Sequence, residues 1–178
     1  MPAEPPMSDR DPDHAFLLAA LDRYERPLIR YAMGVLPDLE QARDIVQDVF
    51  IKLSQNLGTL DRERLAPWLF TVCRNRALDH HRKHQRMIPM ETEVLDLEAS
   101  PLPPPSADLE ERETSQQIRK WIAQLPDKQR EAVRLKFISG LSYKEISDVL
   151  KTSVGNVGTL IHLGVTTLRE RWLAAEQA

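Results

Sequence analysis

Apolar residues recur at steps of three and four along most of this chain, the spacing that gathers them on one side of a helix. From near His14 the first stripe runs through Phe16, Leu17, Ala20, Leu21, Tyr24 and Leu28, and it resumes through Ile29, Ala32, Met33 and Leu36. Pro27 reads as a helix start or a kink, and Pro37-Asp38 as punctuation. The next helix is predicted from about Leu39 to Gln55, with Leu39, Ala42, Val46, Val49, Phe50 and Leu53 inward and Gly58 as its stop. After a connector, a further helix is predicted from about Leu65 to Arg86, turning Leu69, Val72, Cys73 and Leu78 to the core. Together these helices predict one compact bundle.

The pattern fails between Met87 and about Ser106, where Pro89, Pro101, Pro103, Pro104 and Pro105 predict an extended linker. Roughly 20 to 27 residues at up to about 3.3 Å each would reach some 60–90 Å, so the folded units on either side need not touch. Helices are expected again from near Asp108, with Ile118, Trp121, Ile122 and Leu125 on one face. Pro126 opens a new helix, where its missing N–H costs little. Ala132, Val133, Leu135, Lys136 and Phe137 carry that helix to Gly140, a suitable stop.

Ser142-Tyr143-Lys144-Glu145 fits a capping box, in which the serine caps the helix and the glutamate three residues on reaches back. The short helix it opens ends near Leu150, with Ile146, Val149 and Leu150 inward. Lys151-Thr152-Ser153 supply a turn, and a longer helix begins near Val154 with Val157, Ile161 and Leu168 buried. A short capped helix, a three-residue turn and a longer helix make the helix-turn-helix that enters a DNA major groove. On pattern alone an ordinary helical hairpin fits as well.

Composition agrees with an all-helical fold: glycine is scarce, at 6 residues, and 42% hydrophobic content is enough for folded cores. The net charge of −3 at first argues against a nucleic-acid partner, but its distribution matters more than its sum. Between Leu65 and Arg86, Arg74, Arg76, Arg82, Lys83 and Arg86 face Asp79 alone, with His80, His81 and His84 beside them. Between Glu91 and Glu113 eight acids face Arg112. A basic helix followed by an acidic connector points to two segments with different partners. The single cysteine, Cys73, excludes an intramolecular disulfide and reads as a packing residue. Met1 to Asp13 holds four prolines and no apolar core of a signal peptide, so it reads as a disordered leader. No apolar run approaches the roughly 20 residues that span a membrane, and a cytoplasmic protein is expected. His80 and His84 share a helix face, but no acidic or cysteine ligand stands at a matching spacing, so neither a metal site nor a cofactor is expected.

Several segments together resemble the small RNA polymerase sigma factors of the extracytoplasmic-function (ECF) type. Residues 42–50 (ARDIVQDVF) are similar to the core-polymerase-binding segment of region 2, and 67–79 (PWLFTVCRNRALD) to its promoter-melting segment. LPDKQRE at 125–131, followed by GLSYKEI at 140–146, is similar to region 4. The resemblance covers about Phe16 to Arg86 and Ile118 to Trp172. It implies a non-catalytic subunit that binds core RNA polymerase, recognises a −10 and a −35 promoter element, and helps open the DNA. It implies this organisation: a leader over 1–13, region 2 over 14–86, an acidic Pro-rich linker over 87–107, and a region 4 helix-turn-helix over 108–178. The linker reads either as a solvated tether or as a strand that occupies a nucleic-acid channel of polymerase transiently.

Asp44, Gln47, Asp48 and Ile51 share the helix face opposite the core stripe. By the residues alone this is a solvated polar face; the resemblance makes it the surface for core polymerase. Arg74, Asn75, Asp79, Arg82 and Lys83 lie on the exposed side of the next helix. Arg and Lys hold phosphates and Asn reads the edge of an unstacked base. The resemblance places the non-template strand of the −10 element there, with Asn75 near a flipped base; Trp68 reads as a core residue rather than a stacking platform. The helix after the turn departs from the family's basic pattern, carrying Gly158, Leu160, Leu163 and Val165 where Lys or Arg is common. Asn156, Thr159, His162, Thr166 and Arg169 are its DNA-contact candidates, and weak binding by this half alone is expected because phosphate contacts dominate affinity. Gly155, Gly158 and Gly164 are expected to weaken the helix by about 1 kcal/mol each. An anti-sigma protein is a further expected partner. A sigma-like adaptor that binds such a regulator and no DNA is the alternative. The short tail after Trp172 leaves regulation to other proteins or to expression level.

Overall fold

The computed structural model describes residues 12–87 and 109–177, and these residues contain helices and turns but no strand. Residues 1–11 of the expected leader and 88–107 of the expected linker lie outside the described residues, whereas Pro12 and Asp13, expected to end the disordered leader, open α1, and Met87 ends α3. Helix α1 spans Pro12–Ala32, α2 Leu39–Asn56 and α3 Leu65–Met87. After the linker, α4 spans Leu109–Ala123, α5 Asp127–Val133, α6 Tyr143–Leu150 and α7 Val154–Glu176.

Helix ends follow local chemistry. The Asp38 side chain accepts from the Glu40 N–H and starts α2. Before α3, Asp61 caps a single 3-10 turn over Arg62–Arg64 in the same manner. Pro27 sits inside α1 without ending it. Gly58 is not the left-handed stop expected of it, because α2 closes on Leu57 with right-handed backbone. Gly140 does act as one: its φ is +75°, and the Leu141 N–H then donates to the Leu135 carbonyl at 3.0 Å.

One departure from the expected helix after Pro126 has structural consequences. It becomes a π-type turn over Arg134–Ile138, an insertion that alters the angular order of the side chains. Leu135 is fully buried, whereas Phe137 is 63% exposed and takes no part in the core.

The helices before and after the linker share one core. Leu28, Ala32, Leu36, Val46, Leu53, Leu69, Phe70 and Cys73 are contiguous with Ala132, Leu135, Leu141, Ile146, Val149, Val157 and Ile161. Tyr31 meets Phe70 edge-on at 5.6 Å within it. A smaller cluster of Ile122, Leu125 and Val133 joins α4 and α5 to Leu168 of α7. Linker length sets only the maximum separation of the two units, which need not have touched; matching apolar faces bring them together.

Candidate polymerase and nucleic-acid interfaces

Helix α2 has two distinct sides. Ala42, Ile45, Val46, Val49, Phe50 and Leu53 are buried. Asp44, Gln47, Asp48 and Ile51, at steps of three and four, are exposed, and Ile51 keeps 49% of its surface accessible. Asp48 accepts from Arg76 of α3 at 2.6 Å, so a partner cation there competes with an existing, half-exposed ion pair.

Helix α3 buries Leu65, Leu69, Phe70, Cys73 and Ala77, with Val72 and Leu78 half-buried. Burial alone pushes the Cys73 thiol up to about 12. Asn75, Asp79, Arg82 and Lys83 are exposed, one to two turns apart along one side. Asp79 and Arg82 approach to 3.6 Å, a weak exposed pair. Trp68 is half-buried against the core, as expected, but one side of it also lines a cleft of about 340 Å³. Asn56, Thr59, Asp61, Arg64 and Thr71 supply its polar wall. Thr71 lies one helical turn before Asn75, so the cleft opens beside the Asn75 face. The sequence reading missed this cleft because it forms where the α2–α3 connector folds back, which periodicity does not show.

Arg74 is the one DNA-contact candidate of this helix placed elsewhere than expected. It is half-buried against α5, where it grips Glu131 in bidentate fashion, Nε to Oε1 at 2.5 Å and Nη2 to Oε2 at 3.1 Å. The Tyr31 hydroxyl donates to the same Oε1 at 2.7 Å. Burial, then the Glu131 carboxylate, raises the tyrosine well above its usual range.

The helix-turn-helix forms as its capping signature predicts. Ser142 and Glu145 complete the capping box, with the Ser142 N–H donating to Glu145 Oε2 at 2.7 Å. Lys151 takes the left-handed conformation that turns the chain, and Ser153 caps α7 by accepting from the Asn156 N–H. Asn156, Thr159, His162, Thr166 and Arg169 are all exposed along α7. Asn156 donates to the Thr152 hydroxyl at 2.8 Å and Thr159 to the Gly155 carbonyl, so both have local partners. Leu160 packs on the core, whereas Leu163 is 45% exposed. Gly164 is a packing requirement rather than a weak point: a Cβ there would lie 2.8 Å from Val133 Cγ2. Among the described residues no group of three or more His, Cys, Asp or Glu is arranged to hold a metal ion.

The sigma-70 region 2 family profile matches residues 20–87, and the sigma-70 region 4 profile residues 115–168. The ECF RNA polymerase sigma factor SigW of Bacillus subtilis is 30% identical over 160 residues, covering 85% of this chain and 86% of SigW. This chain belongs to the ECF sigma factors of RNA polymerase. It is therefore not an enzyme: it binds core RNA polymerase and promoter DNA and directs transcription initiation. A second B. subtilis relative, the ECF sigma factor SigM, is 27% identical over 139 residues, 78% of this chain and 83% of that one. Among solved structures, CnrH in complex with the cytosolic domain of CnrY is similar in fold, with a TM-score of 0.64 at 21% identity over 92% of this sigma factor and 99% of CnrH. The sigma factor RpoE bound to the anti-sigma factor NepR, from Bartonella quintana, gives 0.61 at 24% identity over 88% and 91%. No helix among the described residues is long and apolar enough to cross a membrane.

Proposed function

We propose that this ECF sigma factor divides its work among three helices in the cytoplasm. The exposed face of α2, with Asp44, Gln47, Asp48 and Ile51, docks on core polymerase. The exposed side of α3, with Asn75, Asp79, Arg82 and Lys83, takes the separated non-template strand of the −10 element. Helix α7 meets the −35 element through Asn156, Thr159, His162, Thr166 and Arg169. In this reading residues 14–86 form region 2, 87–107 the linker and 108–178 region 4. An anti-sigma partner is part of the reading, since RpoE, a sigma factor of similar fold, is seen bound to the anti-sigma factor NepR.

The observation that carries the proposal is the exposed Asn75 face beside the cleft of mixed polar and apolar lining. A duplex hides base edges that a single strand presents, and a base leaving the stack needs both a hydrogen-bonding edge reader and a recess. Asn75 offers the first; the cleft next to Thr71 offers the second. Helix α7 contributes less charge, with Arg169 alone among its proposed contacts, so it positions the complex while α3 supplies the decisive contacts. The test is reconstitution with core polymerase on a genomic DNA library, with transcript starts mapped. Starts that depend on this chain and share two spaced elements are expected; their absence would sink the proposal. In the same system, Asp48→Arg or Ile51→Asp should weaken assembly with core by about tenfold or more, as loss of a central interface contact does.

A further inference from the structure

The connector between α2 and α3 supplies much of the cleft wall, through Thr59, Leu60, Asp61 and Arg64. Its own hydrogen bonds are short in range. The Leu60 N–H donates to the Asn56 carbonyl and the Arg64 N–H to the Asp61 carbonyl, both at 3.0 Å, and the Glu63 N–H donates to Asp61 Oδ1 at 3.1 Å. Bonds of this kind shape a turn without fixing where it stands against the helices. Leu57 and Leu60 give the connector a partly buried apolar footing, whereas Thr59, Asp61 and Arg64 are exposed. Arg64 is tied to Asp148 of α6 at 2.9 Å. Arg62 is tied to α1. Its guanidinium lies over the Phe16 ring, 4.4 Å from the centroid, and donates to the Asp13 carboxylate, 49 residues away. Phe16 in turn packs on the core. The start of α1 thus holds the single 3-10 turn that walls the cleft.

Neither contact of Arg62 adds much to the stability of the fold, since an exposed cation–π contact and a half-exposed ion pair are both weak. Their effect is on position. A guanidinium offers a face to a ring and an edge to a carboxylate at once, which an ammonium does not. Polar groups select a base only when their donors and acceptors meet its edge at hydrogen-bond distance and angle, and the selection is lost steeply with misalignment. Thr59 and Asp61 both sit within three residues of Arg62, so a shift of the turn moves them together. We propose that Phe16 and Asp13, acting through Arg62, are positioning residues that set the connector wall of the cleft, and with it the base preferred at one position of the −10 element. None of the three touches the base. The inference rests on the base-holding role given to the cleft.

The experiment has two arms, both on the full chain. In the free protein, amide hydrogen exchange is followed along the connector. Phe16→Leu keeps an apolar footing and removes the ring face. It should speed exchange at the Leu60 and Arg64 amides by roughly two- to fivefold, the worth of an exposed cation–π contact, and leave the interiors of α2 and α3 unchanged. Phe16→Tyr, which keeps the ring, should exchange as the native chain does. In holoenzyme, initiation is measured on promoters that carry each base at each −10 position. Phe16→Leu and Asp13→Ala should each flatten the preference at one position by the same roughly two- to fivefold, because a brace biases the wall by no more than its own worth. Arg62→Ala, which loses both contacts, should flatten it further. The position should be the one that Thr59→Ala also flattens, with the other positions and core affinity unchanged and the native preference kept by Phe16→Tyr. Exchange that Phe16→Leu leaves unchanged would overturn the brace. Equal losses at every −10 position, or a fall in core affinity, would mark a general structural role and overturn the positioning one. So would a position that Thr59→Ala flattens and Phe16→Leu does not. If Thr59→Ala alters no preference either, the base-holding role of the cleft fails and the specificity claim fails with it, while the exchange arm still decides whether α1 braces the connector.

Discussion

At the scale of single residues, burial decides chemistry. Cys73 was legible as a packing residue from its place in an apolar stripe, and it is fully buried. A thiolate is the reactive form, and burial pushes this thiol from 9.0 up to about 12. It should therefore resist a thiol reagent at pH 8 in the folded protein and react on unfolding; rapid labelling under native conditions would contradict this. The same shift bears on stability. A folded-state value above the unfolded one gives a contribution that is complete below about pH 9 and is lost as pH rises toward 12. Tyr31, also raised, acts in the same direction. The thermal midpoint should fall above about pH 9, and Cys73→Ala should flatten the first part of that fall. What could not be read from the sequence is the partner of Arg74. Charge counting placed it with the other cations of its helix, and only the tertiary packing of α5 brings Glu131 to it.

At the scale of helices, local signals were reliable where they act through neighbours in sequence. The capping box at Ser142 needs only a serine, a glutamate and the spacing between them, and it formed. Ser142→Ala should cost about 1 kcal/mol, read as a lowered thermal midpoint. Gly58 and the π-type turn after Val133 were not legible, since both depend on how the chain is pulled into the shared core. The glycines of α7 divide for the same reason. Nothing lies within 4 Å of a Cβ at Gly155, so Gly155→Ala should be neutral or stabilise by up to about 1 kcal/mol. At Gly164 the added methyl meets Val133, and Gly164→Ala should destabilise despite the better helix propensity. Equal effects of the two substitutions on unfolding by urea would show that α7 does not pack as described.

At the scale of the whole molecule, the all-helical class and the membership in the sigma factors followed from segments whose order and spacing the chain displays. The association of the two halves did not. A proline-rich connector says how far apart they can be, whereas the burial of Ala132, Leu135, Ile146 and Val157 with Leu28, Leu36 and Leu69 says where they come to rest. The central claim is that the Asn75 face of α3 acts in opening DNA rather than in holding polymerase. The most direct measurement follows promoter opening, by a fluorescent base analogue in the −10 element, alongside the affinity of the sigma factor for core enzyme. Asn75→Ala should reduce opening by the equivalent of about 1–3 kcal/mol, the worth of a good base contact, and leave core affinity unchanged. Equal losses in opening and in core affinity would contradict the account.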